Sequence, residues 1–99
     1  MRDDGWPYDV PPETGCITTR QVMHEGYPVL VILHDDDGAW QVLCDTTDDP
    51  ADGMLVGLEC LHARFPDLRR FAHIPRGYEA VRDNAESAWR IVKSEYDAA

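Results

Sequence analysis

Apolar positions in this chain come in short bursts separated by polar turns rather than in long periodic runs, the pattern of brief strands and helices sharing one small core. The clearest burst runs from Pro28 to Leu33, apolar on both faces and rich in β-branched residues. Asp36, Asp37 and Gly38 follow with turn chemistry, and Ala39 to Cys44 then alternates, with Trp40, Val42 and Cys44 on one face and Ala39, Gln41 and Leu43 on the other. This predicts a β-hairpin over 28–44 whose first arm, apolar on both sides, lies centrally in its sheet.

Around the hairpin, Pro7, Pro11 and Pro12 with Trp6, Tyr8 and Val10 between them predict an extended Pro-rich arm over 1–14, and residues 15–99 form a single domain. Cys16 to Thr18 predicts a short strand, after which Thr18 or Thr19 caps a brief helix through Val22 and Met23 that Gly26 ends. Asp45 to Gly53 reads as a polar loop and Met54 to Val56 as a strand. Leu58, Leu61, Phe65 and Leu68 line one side of a helix that Pro66 breaks, with a second short turn through Phe71. Ile74 to Gly77 is a turn and Tyr78 to Arg82 a strand. In the tail over 86–96, Ala88, Ile91 and Val92 have helical spacing, while a strand through Arg90 to Val92 is the open alternative. The expected fold is α+β: a small antiparallel sheet of about four strands, with the helical segments near 58–71 and 86–96 packed on one face.

Charge narrows the partners. Nine Lys and Arg against 19 Asp and Glu give a formal net charge of −10, which repels phosphate backbones and anionic lipid heads, so neither nucleic acid nor membrane is expected as a partner. The longest apolar run is too short to span a bilayer, and no signal-peptide pattern follows Met1. Cys16, Cys44 and Cys60 are odd in number and set among apolar residues, which favours buried free thiols in a reducing compartment and a cytoplasmic location.

Candidate chemistry is sparse. The cysteines and His24, His34, His62 and His73 have zinc-type donors, but only Cys60 and His62 are close, and helical geometry turns i and i+2 side chains apart. Asp48, Asp52 and Glu59 fall on positions of a calcium-binding loop whose third position is Pro50. No nucleophile elbow or phosphate-cradling glycine loop is present, so no catalytic residue, metal or cofactor is assigned. The aromatic residues either pack the edges of a thin core or stand partly exposed beside the carboxylates, where they would anchor a basic protein.

Three segments carry a resemblance: Pro11-Pro12 with Cys16-Ile17-Thr18-Thr19 and Val22; His34-Asp35-Asp36-Asp37-Gly38-Ala39-Trp40-Gln41; and Pro75-Arg76-Gly77-Tyr78-Glu79-Ala80-Val81-Arg82 with Trp89 beyond. Together, over roughly residues 10–90, they resemble a family of small uncharacterised bacterial proteins associated with the immunity proteins of polymorphic toxin systems. Tyr78, where that pattern has Trp, and the longer charged tail depart from it. The resemblance implies a cytoplasmic, non-enzymatic inhibitor that covers the active site of a toxin domain. The expected contact residues are Asp35, Asp36, Asp37 and Trp40 on the hairpin, with Asp45, Asp48, Asp49 and Asp52 on the neighbouring loop. The alternatives are a small enzyme or metal-binding domain using Cys44, Cys60 and His62 or the Asp48 to Glu59 loop, and a regulatory accessory domain that works in a homo-oligomer.

Overall fold

The computed structural model describes Tyr8, residues 10–44 and residues 50–94. The predicted hairpin forms strands β2 (Val31–His34) and β3 (Trp40–Leu43), paired antiparallel with His34 opposite Trp40 and Val31 opposite Leu43. Its turn closes through the Asp35 N–H on the Ala39 carbonyl at 2.8 Å and the Gly38 N–H on the Asp35 carbonyl at 2.9 Å. Gly38 takes φ 92° there, a conformation that costs glycine nothing and other residues steric strain.

Strand β1 (Gly15–Thr19) lies beside β3, and α1 (Arg20–His24) follows it directly. The Thr19 hydroxyl accepts the Val22 N–H, satisfying one of the donors a helix start leaves unpaired. After a 3₁₀ turn, Pro50–Asp52, come β4 (Gly53–Gly57) and α2 (Leu58–Arg64). Pro66 stops α2, because the residue before a proline avoids helical geometry; the chain resumes as a 3₁₀ segment, Pro66–Phe71. Strands β5 (Tyr78–Val81) and β6 (Arg90–Lys93) complete a sheet of order β4-β1-β3-β2-β5-β6.

The chain is therefore α+β, with β2 internal as its two apolar faces require, but the sheet differs from expectation in three ways. Among the described residues it has six strands rather than about four. It is mixed, since β1 runs parallel to β3. The tail supplies a strand instead of a packed helix: Ile91 and Val92 are β-branched and pair with β5, whose outer backbone groups would otherwise lack partners. The apolar spacing that suggested a helix puts no residue in the core, and every residue of β6 is exposed.

Among the described residues, α1, α2 and the 3₁₀ segment Pro66–Phe71 cover one face. Val22 of α1, Leu58 and Leu61 of α2, and Leu68 and Phe71 of the 3₁₀ segment join Cys16, Ile32, Trp40, Val42 and Ala80 in a single core cluster. Each fully buried leucine contributes roughly 1.5–3 kcal/mol, which is how such short helices persist. The chain must cross this face to travel from β4 at one edge to β5 on the other side, and that crossing builds the covering layer.

Candidate interaction surface

Strand directions place the hairpin turn at one end of the sheet, together with the start of β5. The carboxylates of the turn are shaped by its backbone: the Asp35 side chain accepts the Asp36 N–H at 2.8 Å, and that of Asp37 accepts the Ala39 N–H at 3.0 Å. Asp36 and Asp37 are exposed and Asp35 half-buried. The turn rests on β5, with the Gly77 N–H donating to the His34 carbonyl at 2.7 Å. Gly77, at φ 84°, has room only for hydrogen: a Cβ there would lie 2.5 Å from an Asp36 carboxylate oxygen. The Arg76 guanidinium packs over Gly38, 3.0 Å from where a Cβ would be, so this end of the sheet carries a cation beside its three carboxylates.

Trp40 is not on that surface. It is fully buried, stacked on His34 with ring centroids 4.1 Å apart at 11° and met edge-on by Tyr8 at 5.8 Å. Its position opposite His34 in the register, on the core face of β3, leaves it no access to a partner, which corrects its assignment as a contact residue. His34 itself is buried with Nδ1 2.6 Å from the Ile74 carbonyl, and the sequence reading missed this pair. The signal was available in the hairpin, because a three-residue loop with an αL glycine makes the flanking positions cross-strand neighbours.

Asp52 also leaves the proposed set. It is 8% exposed and ion-paired with Arg20, and it sits at the start of β4, opposite in the sheet to the hairpin turn. The turn and Asp52 are therefore separated by the length of a four-residue strand, about 13 Å. Asp45, Asp48 and Asp49 lie outside the described residues, as does most of the N-terminal arm.

The donor atoms considered for metal are dispersed. Cys16 and Cys44 are buried as expected, but Cys60 is exposed, because α2 turns Leu58 and Leu61 into the core and Cys60 away from it. Burial pushes the Cys16 thiol up to about 12. His62 lies with Nδ1 3.1 Å from the Tyr8 hydroxyl; burial, and then the Arg69 charge, hold its pKa below the usual histidine value. Burial raises the Tyr8 phenol, so that hydroxyl stays protonated. Among the described residues, no three His, Cys, Asp or Glu side chains gather as a metal site, and no helix is long and apolar enough to cross a membrane.

The feature the sequence reading did not anticipate is the second face of the sheet. Pairing brings Leu55, Ile17, Gln41, Leu33, Glu79 and Val92 into one row across all six strands. Leu43, Val31 and Val81 lie in the adjoining row. Strand alternation turns these side chains away from the core cluster, and Leu33, though buried, stands apart from that cluster. Leu55 is 75%, Ile17 44% and Val92 38% exposed. No family model, curated protein or solved structure matches this chain.

Proposed function

We propose that this chain is a non-enzymatic protein-binding domain, an immunity-like inhibitor of a bacterial toxin domain, and that it binds through the face of its sheet opposite α1 and α2. One observation carries the reading: Leu55 and Ile17, cross-strand partners on β4 and β1, stand exposed together on the sheet face turned away from the core cluster. Contiguous apolar surface left open on a small protein marks a site of association. The Asp35–Asp37 turn at one end of the same sheet, on a chain of net charge −10, suits electrostatic steering of a basic partner, and the partner class follows from that sign. The toxin-inhibitor role and the cytoplasmic location rest on the family resemblance of the hairpin and β5 segments.

The test pairs this protein with a basic toxin domain encoded beside its gene and follows association across a salt series. Replacing Asp35, Asp36 and Asp37 by Asn keeps the side-chain oxygens that accept the Asp36 and Ala39 N–H groups, so the turn survives while three charges are lost. Association should slow roughly three- to tenfold at low salt and become less salt-dependent. Ile17→Glu should instead speed dissociation, because it places a charge on the apolar face. Unchanged, salt-insensitive binding by both variants would overturn the reading.

A further inference from the structure

The two edges of the sheet are built differently. The outer edge of β6 carries Arg90 and Lys93, charges of the kind that discourage strand addition. The outer edge of β4 runs Gly53-Met54-Leu55-Val56-Gly57 with no charge at all. The hydrogen-bond phase of that edge follows from its neighbour. The Leu58 N–H donates to the Thr14 carbonyl at 2.8 Å, which extends the β1–β4 register by one pair. Antiparallel strands alternate bonded and non-bonded pairs, so Cys16–Val56 and Thr18–Met54 are the bonded ones. The N–H and C=O groups of Gly53, Leu55 and Gly57 therefore point away from β1, to the open edge. Among the described residues, no hydrogen bond engages these three residues on that side.

We infer that β4 pairs antiparallel with β4 of a second copy of this chain, about a two-fold axis through Leu55. The strand is self-complementary in that arrangement. Gly53 meets Gly57 of the second copy, Met54 meets Val56, and Leu55 meets Leu55. The outward-pointing residues are 53, 55 and 57, and pairing centred on 55 matches each of them with another outward-pointing residue, so all six donors find acceptors. A centre on Met54 or Val56 would match only two outward-pointing residues of each copy and satisfy four donors, and a centre between two residues would oppose outward-pointing groups to inward-pointing ones and satisfy none. Met54 and Val56 on the helix-bearing face then meet their counterparts, and on the other face the row ending at Leu55 continues into the second copy, giving one twelve-stranded sheet. The two-fold operator makes the interface closed, so pairing stops at two copies.

This inference concerns the protein alone and is separable from the partner reading by the sign of its salt response. Two chains of net charge −10 repel, so added salt should tighten the dimer, whereas it should loosen a complex with a basic partner. The experiment is sedimentation of the purified chain from low micromolar to about 300 µM, with amide hydrogen exchange measured at both ends of the range. The expected mass rises from 11.2 kDa toward twice that value, and the amides of Gly53, Leu55 and Gly57 slow at least tenfold at high concentration. Leu55→Lys, at a side chain already 75% exposed, should keep the fold and remain a monomer with fast exchange at those amides. Val92→Lys on the opposite edge should dimerise as the parent does. A monomer throughout, a dimer that Leu55→Lys leaves intact, or a dimer whose three amides stay unprotected would each overturn the inference.

Discussion

Substituting Gly77 by Ala probes the junction that holds the acidic turn against β5. Two costs combine there. Gly77 has φ 84°, and an L-residue in the left-handed region costs roughly 1–2 kcal/mol, offset by roughly 0.4–1 kcal/mol of lost unfolded-state freedom. The new methyl would also lie 2.5 Å from an Asp36 carboxylate oxygen. Asp36 is exposed and can rotate aside, so this contact adds about 0.5–1.5 kcal/mol, the cost of an off-rotamer side chain. Gly26 supplies the control: it has φ 74° and nothing within 4 Å of its Cβ position, so Gly26→Ala carries only the backbone cost. Urea unfolding followed by circular dichroism should show Gly77→Ala the more destabilising by about 1 kcal/mol, which in a domain of this size is roughly 4–8 °C in Tm. Adding Asp36→Ala removes the contact and should bring the cost of Gly77→Ala down to that of Gly26→Ala. Equal costs at the two glycines, or a Gly77→Ala penalty indifferent to Asp36, would refute the packing of the turn on β5.

Thiol titration should find one fast-reacting cysteine, Cys60, while Cys16 and Cys44 react only at the rate of unfolding; three fast thiols would contradict the core packing. Because the folded Cys16 thiol holds its proton up to about 12 against an ordinary value of 9.0, its contribution to stability is complete below pH 9 and declines as pH rises from there; Cys16→Ala should flatten that alkaline limb. His62 acts at the opposite end: with its folded pKa depressed below 6.5, its contribution is present above that value and is lost as pH falls through the folded pKa, so His62→Gln should weaken the acid dependence measured by denaturant midpoints. Leu61→Ala, at a side chain with no exposure, should cost about 2–5 kcal/mol in urea unfolding, whereas monomeric Leu55→Ala should stay within about 0.5 kcal/mol. Thr19→Ala should lose about 0.5–2 kcal/mol with the α1 cap, and Thr19→Ser should recover most of it.

What the sequence by itself determined was local. The hairpin and its glycine turn, the cap at Thr19, the break at Pro66 and the strand after Gly77 each depend on backbone preferences and hydrogen bonds spanning only a few residues, and each was legible. Tertiary structure decided whatever depended on which strands become neighbours. The parallel seating of β1 on β3 brings Cys16 beside Trp40, 24 positions apart, and no local pattern encodes that choice. The same seating selects the covered face, and so turns Trp40 from an expected contact residue into the centre of the core. It also separates the acidic turn from Asp52, which pairs with Arg20 at the far end of the sheet. The row from Leu55 to Val92 draws one residue from each of six strands, so the exposed pair of Leu55 and Ile17 becomes a surface only when pairing aligns them and α1 and α2 pack on the other side. Periodicity reports that a strand has two faces; which face meets water is settled by the layer that packs against it.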